Sequence, residues 1–184
     1  MRVITGTARG KRLGELEGLE TRPTTDRVKE GLFNMIQFDI EGRRVLDVFA
    51  GTGQLGIECL SRGAASCTFM DQRRDAVALV RKNLRDTGLE KNAQVILGDS
   101  LKELRRRKER YHLIFLDPPY DTDLLDKALK TITEIDILSD NGIIICESRV
   151  EKDLPDLPAP YYKSRVNRYG KIKLTLYRKE GSET

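Results

Sequence analysis

A glycine-rich turn follows the apolar run at residues 45–49, and carboxylates flank it. Gly51, Gly53 and Gly56 have the spacing G-x-G-x-x-G and open a segment with helical character. Glycines at this spacing permit a tight turn and let a ligand approach the backbone closely. Asp71 ends the next apolar run, twenty positions after Gly51, where a carboxylate can accept hydrogen bonds from both hydroxyls of a ribose. Together these features predict a site for an adenosine-containing cofactor.

The glycine spacing alone does not distinguish a dinucleotide from S-adenosylmethionine. Two further carboxylates favour S-adenosylmethionine. Asp47 lies just before the glycines, where it can hold a cationic amino-acid group directly or through water. Asp99 follows the third apolar run and can accept from an adenine amino group, or cap the next helix instead. The predicted cofactor contacts are Asp47, Ala50, Gly51, Thr52, Gly53, Gly56, Asp71, Gln72, Asp99 and Ser100.

A second motif, Asp117-Pro118-Pro119-Tyr120, comes directly after the apolar residues 113–116. Asp-Pro-Pro-Tyr in this position is similar to the signature of methyltransferases that act on planar amino groups. Together with the segment Arg22-Pro23-Thr24-Thr25-Asp26-Arg27-Val28 and an N-terminal hairpin, it makes the chain from Arg2 to Tyr177 resemble the RsmD family. That family consists of 16S ribosomal RNA guanine-N2 methyltransferases.

The resemblance implies a reaction in which the four motif residues are catalytic. The lone pair of an exocyclic amine is delocalised into the ring, so the nitrogen must be drawn toward tetrahedral geometry before it attacks. The Asp117 carboxylate and the Pro118 carbonyl can each accept an N–H, while Pro118 and Pro119 fix the backbone direction. Tyr120 can stack on the target base. The substrate that the resemblance implies is 16S rRNA within an assembling small ribosomal subunit.

Several alternatives are open at this point. The same motif fits an adenine-N6 methyltransferase acting on DNA or RNA. A non-catalytic RNA-binding module with a vestigial pocket is a third reading, and a nicotinamide oxidoreductase a fourth, although no residue here suits hydride transfer. Cys146 lies near the end of the fifth apolar run, where some methyltransferases carry a nucleophile, but its neighbours predict a buried strand thiol.

The elements that must position these residues alternate along the chain. Apolar runs at residues 45–49, 67–70, 94–97, 113–116 and 143–146 predict parallel strands, with amphipathic helices between them at residues 74–86 and 124–135. Residues 161–166 and 171–177 alternate in period two around a turn at 167–170 and predict an antiparallel hairpin. The resemblance supplies the sheet order: a Rossmann-like α/β class I methyltransferase fold with a mostly parallel seven-stranded sheet.

The N-terminal region differs from the rest. Residues 1–24 predict a small β-hairpin extension, and residues 25–184 the methyltransferase domain, beginning with a helix over about 25–38 that Thr24 or Thr25 caps. Residues 1–14 contain four basic and no acidic residues, and residues 161–179 contain seven basic and no acidic residues. Such segments suit a phosphate backbone or a solvated surface. The predicted RNA contacts are Arg2, Arg9, Lys11, Arg12, Arg22, Thr24 and Arg27.

Composition limits the remaining classes. The chain has 184 residues, 39% hydrophobic and 34% charged, with a net charge of +4, as in a globular domain. No apolar run approaches the roughly 20 residues that span a bilayer, and no secretory signal is evident, so we expect a cytoplasmic protein. Three separated cysteines and the single His112 predict neither a disulfide framework nor a metal site. We expect a monomer.

Overall fold

The computed structural model describes residues 1–17 and 26–181, and these residues form a three-layer α/β fold. The strands are β1 (Arg44–Asp47), β2 (Ser66–Asp71), β3 (Ala93–Leu97), β4 (Tyr111–Leu116), β5 (Leu138–Arg149), β6 (Tyr161–Tyr169) and β7 (Ile172–Lys179). The helices are α1 (Asp26–Ile36), α2 (Gln54–Ser61), α3 (Arg74–Thr87), α4 (Ser100–Arg105) and α5 (Leu124–Ile135). A 3₁₀ turn at Glu90–Asn92 precedes β3.

The seven strands form one sheet in the order β3-β2-β1-β4-β5-β7-β6. β1 to β5 run parallel, and β7 pairs antiparallel with both β5 and β6. This arrangement confirms the predicted fold class. The predicted hairpin is present, but its four-residue turn is wrong: Asn167, Arg168 and Tyr169 pair with β7, which leaves a turn of Gly170 and Lys171.

Two hydrophobic cores lie on opposite faces of the sheet. One contains the apolar sides of α1, α2 and α3, including Leu32, Ile57 and Val80. The other contains α4 and α5, including Leu104 and Leu129. The two amphipathic helices predicted at residues 74–86 and 124–135 thus pack on opposite faces of the sheet. α3 ends at Thr87, and the following Gly88 adopts the left-handed conformation that is common in a C-terminal cap.

The N-terminal segment packs against α2 instead of forming two strands. Arg2 and Arg12 make an isolated antiparallel bridge, with backbone hydrogen bonds from Val3 to Lys11 and from Leu13 to Met1, whereas a hairpin of two strands was expected within residues 1–24. Backbone N–H groups of the segment instead donate to a buried side chain of α2. The Glu58 carboxylate accepts from the N–H groups of Ile4 and Thr5, at 2.8 and 3.1 Å. Lys29 of α1 forms an ion pair with Glu58 at 3.1 Å. Residues 1–17 are thus attached to the face of the sheet that carries α1 and α2.

The predicted helix start at Thr24 or Thr25 lies outside the described residues. Among the described helices, none has the length and apolar character needed to cross a membrane.

Candidate active site

A cleft opens at the carboxyl ends of β1 and β4, which are neighbours in the sheet although the chain forms β2 and β3 between them. β1 leads into α2 on one face and β4 leads toward α5 on the other, so the two loops diverge. A crevice at such a switch point is where open α/β sheets bind ligands. The cleft has a volume of about 1120 Å³. It is lined by residues 117–120 and by eight of the ten predicted cofactor contacts: Asp47, Ala50, Gly51, Thr52, Asp71, Gln72, Asp99 and Ser100.

The remaining two predicted contacts, Gly53 and Gly56, shape the loop without lining the cleft. Gly53 precedes α2 with φ of 82°, a conformation that favours glycine, and its N–H donates to the Ala50 carbonyl at 2.8 Å. Gly56 lies within α2, where an added Cβ would come 2.3 Å from Phe69 and 2.6 Å from the Cys67 sulfur. The third glycine therefore serves close packing of the helix on β2, as in dinucleotide folds.

Asp47 is a buried carboxylate at the end of β1, with 1% of its surface exposed. Its pKa is raised from 3.8 to about 7, chiefly by burial; a hydrogen bond from the Gly56 N–H lowers the pKa, and the nearby charge of Asp71 raises it. Its Oδ2 has no hydrogen-bond partner among the described residues. A buried carboxylate oxygen of this kind is unfavourable unless a donor or cation reaches it. Because Asp47 also lines the cleft, a bound ammonium group could satisfy it.

Asp71 connects β2 to the glycine loop. Its Oδ2 accepts from the Gly51 N–H and its Oδ1 from the Arg73 N–H, each at 2.9 Å. Each carboxylate oxygen can accept a second hydrogen bond, so the side chain can hold the loop and also face a ribose. Asp99 caps α4, because its Oδ1 accepts from the Lys102 N–H at 2.9 Å. The capping alternative is therefore confirmed, while Asp99 also lines the cleft.

The Asp117–Tyr120 loop leaves β4 with a fixed shape. Pro118 is buried and Asp117 is half-buried at the cleft. After Tyr120, Asp121 adopts φ of 61°, a left-handed conformation that Asp tolerates better than most residues. The Thr122 hydroxyl donates to the Pro119 carbonyl at 2.9 Å, closing the turn. The loop thus presents the Asp117 carboxylate and the Tyr120 ring to the same cleft.

Two residues of β5 surround Tyr120, and the sequence reasoning missed both. The Tyr120 hydroxyl donates to Oε1 of Glu147 at 3.1 Å. The Arg149 guanidinium lies 5.2 Å from the centre of the Tyr120 ring and bonds the Asp121 carboxylate at 3.1 Å. The sequence could have indicated them. In the expected fold β4 and β5 are adjacent parallel strands, so the polar residues that follow the fifth apolar run lie beside the Asp117–Tyr120 motif.

The N-terminal segment reaches the other side of the cleft, where Met1, Glu15 and Leu16 contribute to the lining. Asn83 of α3 connects this segment to the glycine loop. Its Oδ1 accepts from the Gly14 N–H at 2.8 Å, and its Nδ2 donates to the Thr52 carbonyl at 2.9 Å. The order of the segment and the shape of the cofactor loop thus depend on one buried side chain.

The predicted RNA contacts divide into two groups. Arg22 and Thr24 lie outside the described residues. The other five are all exposed on the N-terminal segment or at the start of α1: Arg2, Arg9, Lys11, Arg12 and Arg27.

The remaining candidates belong to the folded core. Cys146 is fully buried in β5, and burial raises its thiol pKa, so the thiolate needed for nucleophilic attack is disfavoured. Nδ1 of His112 accepts from the Arg44 N–H at 3.0 Å, away from the cleft lining.

Similarity to known proteins decides the family. Residues 1–178 match a family model described as "Conserved hypothetical protein 95". The Escherichia coli protein "Ribosomal RNA small subunit methyltransferase D" is 36% identical over 180 residues, which cover 98% of this chain and 90% of the relative. The chain belongs to the RsmD family of rRNA methyltransferases. Its identity to the Bacillus subtilis protein YlbH is 41% over 184 residues, covering 98% of this chain and 100% of the relative.

A solved structure gives the same result at the level of the fold. The Escherichia coli protein yhhF, 36% identical, has a TM-score of 0.89 to this chain and the match covers 99% of both. Membership of the RsmD family makes the chain a methyltransferase enzyme. Family membership therefore favours a methyltransferase over a non-catalytic RNA-binding module and over a nicotinamide oxidoreductase.

Proposed function

We propose that this enzyme transfers a methyl group from S-adenosylmethionine to the exocyclic N2 of one guanine in 16S rRNA. One observation carries the proposal: the Asp117–Tyr120 loop opens onto the same cleft as the buried, unsatisfied Oδ2 of Asp47. A cleft with an amine-orienting motif on one side and an ammonium-accepting carboxylate on the other suits this pair of substrates. The RsmD relative named for small-subunit rRNA supports the choice of RNA.

The cleft residues fit S-adenosylmethionine. Asp47 would accept hydrogen bonds from the ammonium of its amino-acid part, and Asp71 would accept them from the ribose hydroxyls. Asp99 would accept from the adenine amino group, through an oxygen lone pair that the Lys102 N–H does not use. When bound, the cofactor supplies an electrophilic methyl group on a positively charged sulfur. The backbone N–H groups of the glycine loop are fixed in part by Asp71, so the loop is preorganised before a ligand arrives.

The chain's own residues then orient the target amine. The Asp117 carboxylate and the Pro118 carbonyl accept its two N–H groups, which directs the nitrogen lone pair toward the methyl group. Tyr120 stacks on the base and keeps it in the pocket. No strong base is needed before attack, because the nitrogen becomes acidic only once it is methylated, and its proton is then released. Orientation, and not proton abstraction, is the proposed source of the rate enhancement.

The decisive test is incorporation of labelled methyl groups into RNA from cells that lack this enzyme. Free 16S rRNA and assembling small ribosomal subunits are compared as substrates, and the products are digested to nucleosides and identified by mass spectrometry. We expect one N2-methylguanosine per 16S rRNA, with the particle as the better substrate. N6-methyladenosine in place of N2-methylguanosine would support the adenine alternative, and no transfer to either RNA would refute the proposal.

A further inference from the structure

Glu147 occupies the position beside Asp117 at the carboxyl end of the sheet. The last paired residues of β4 and β5 are Leu116 and Cys146, so Asp117, where the chain leaves β4, lies level with Glu147, which continues β5 and pairs with Leu174 of β7. Neighbouring strands are separated by about 4.8 Å. Glu147 is 6% exposed, lines the main cleft, and also lines an adjoining cavity of about 310 Å³ beneath Tyr120. A buried carboxylate thus faces the place proposed for the target base.

The surroundings of Glu147 fix its direction. Its Oε1 accepts from the Tyr120 hydroxyl at 3.1 Å, and the Tyr120 ring is covered on one side by Arg149. A carboxylate has about four lone-pair sites on its two oxygens, so it can hold the Tyr120 hydroxyl and accept from other donors as well. Because Glu147 lines the cleft, one such donor can belong to a bound base.

Guanine carries such a donor next to the reacting nitrogen. Its N1–H is adjacent to the exocyclic N2 on the same edge of the ring. When Asp117 accepts the N2 hydrogen on the N1 side of the ring, the N1–H faces the neighbouring strand β5, where Glu147 lies. Adenine instead has a lone pair at N1, which a carboxylate would repel. A donor on the ligand and an acceptor on the protein are matched only for guanine.

We propose that Glu147 is the residue that selects guanine, by accepting a hydrogen bond from the N1–H of the flipped base. This inference rests on the proposed function, because it names the residue that recognises the base methylated in the same site. Asp117 orients the N2 amine that reacts, whereas Glu147 accepts a hydrogen bond from the neighbouring N1–H. The two roles predict different kinetic consequences.

The test compares guanine with 2-aminopurine at the modified position of the RNA. 2-Aminopurine keeps the exocyclic 2-amino group but has a lone pair at N1 instead of an N–H. Once the modified nucleotide is located, each base is introduced there, and single-turnover methyl transfer is measured. The wild-type enzyme should prefer guanine by roughly 10- to 100-fold, as expected for one charge-assisted contact to a base edge.

The informative variant is Glu147→Gln, which keeps an acceptor for Tyr120 and adds an N–H that can face a lone pair. We expect the preference for guanine to fall to roughly threefold or less, as the discriminating charge is lost. The matched control is Tyr120→Phe, which removes the hydroxyl contact but keeps the carboxylate. It should slow transfer to both bases by a common factor and preserve the preference. S-adenosylhomocysteine affinity verifies an intact cofactor site in both variants.

Two outcomes would overturn the inference: equal wild-type rates on the two bases, or a preference that is unchanged in Glu147→Gln because the rates on both bases fall by the same factor. The last would give Glu147 only a positioning role toward Tyr120. Absence of transfer to any guanine by the wild type would instead refute the proposed function itself, so the two failures are distinguishable.

Discussion

Asp117 contributes its carboxylate oxygens to a reaction that needs acceptors in defined places. Replacing it by Ala leaves both prolines and β4 in place but removes one acceptor for the target amine. Single-turnover methyl transfer should therefore fall on the order of 100-fold or more, because a misoriented nucleophile loses the advantage of positioning. Asp117→Asn should keep more activity than Asp117→Ala, since an amide oxygen still accepts one N–H. S-adenosylhomocysteine affinity is the control and should be unchanged in both variants.

If Asp117 were an obligatory proton acceptor, the Asn variant would be as slow as the Ala variant. Full activity of Asp117→Ala with normal S-adenosylhomocysteine affinity would mean that the motif has only a structural role in this chain.

Asp47 should make cofactor binding depend on pH. Its pKa in the unliganded protein is about 7, against an ordinary value of 3.8, chiefly because it is buried. A bound ammonium favours the carboxylate, so below about pH 7 binding must displace a proton from Asp47. Affinity for S-adenosylhomocysteine should fall as pH decreases from about 7, by up to about tenfold per pH unit. Titration calorimetry in buffers of different ionisation enthalpy should detect the released proton.

The matched variant is Asp47→Asn, which cannot titrate. It should bind more weakly at pH 7.5 and lose both the pH dependence and the proton release. A wild-type affinity that is constant between pH 5.5 and 7.5 would remove Asp47 from the ammonium site.

At the scale of elements, a single side chain of α3 joins that helix to the N-terminal segment and to the cofactor loop, so one substitution there should affect both. Asn83 is fully buried and holds Gly14 of the N-terminal segment and Thr52 of the cofactor loop. Asn83→Ala leaves the Gly14 N–H and the Thr52 carbonyl without this partner. Both groups are only partly buried, so we expect a loss of about 1 kcal/mol for each. We expect a lower melting temperature, weaker S-adenosylhomocysteine binding, and faster tryptic cleavage at Lys11 or Arg12.

Asn34→Ala is the matched control, because Asn34 is an exposed asparagine in the interior of α1. It should leave all three measurements near their wild-type values. Destabilisation by Asn83→Ala with normal cofactor affinity would separate the stability of α3 from the shape of the cofactor loop.

Helices with a clear apolar period were predictable from the sequence. The short helix α4 and the N-terminal segment, whose backbone bonds to side chains of α2, were not. α5 was predicted at its observed bounds, and α3 to within one residue, because each repeats an apolar stripe over three turns. α4 has only six residues, too few for a period, and only its cap at Asp99 was anticipated. The N-terminal strands failed to form ladders because Glu58 and Ser61 of α2 accept from and donate to their backbone.

The same reasoning explains which part of the site was predictable. Asp71 and Asp117 each follow an apolar run and Asp47 lies near the end of one, so their common edge could be inferred from parallel strands alone. Glu147 becomes meaningful only when β5 is known to lie next to β4, which depends on the order of the sheet. Asn83 sits in a helix whose pattern gives no indication of which loops it contacts. Contacts between distant elements require the fold before they can be assigned.

At the scale of the whole molecule, the basic character of the two chain ends has different consequences. In the C-terminal hairpin, Lys173 and Lys179 are buried, and Lys179 forms an ion pair with Asp136 at 2.9 Å. Those charges belong to the fold and are not available to a phosphate backbone. Other basic residues are exposed at both ends: Lys163, Arg165, Arg168 and Lys171 in the hairpin, and Arg9, Lys11 and Arg12 in the N-terminal segment. The hairpin contributes Lys171 to the cleft lining, and the N-terminal segment contributes Leu16.

Replacing Arg9, Lys11 and Arg12 together by Ala should therefore weaken RNA binding and reduce its dependence on salt. Each phosphate contact that is lost lowers the slope of log affinity against log salt by about one, so a decrease of up to about three is expected. The measurement is affinity for the RNA substrate at several salt concentrations. Cofactor affinity should not change, because none of the three side chains lines the cleft.

A second triple variant separates position from net charge. Arg105 of α4, Arg106 directly after it and Lys130 of α5 are exposed cations on the opposite face of the sheet from the N-terminal segment. Their replacement by Ala removes the same formal charge at a distance from the segment. If RNA is bound by contacts of the N-terminal segment, only the first triple lowers the salt slope. If the two triples weaken binding equally, attraction depends on net charge alone and the N-terminal segment is not an RNA-binding surface.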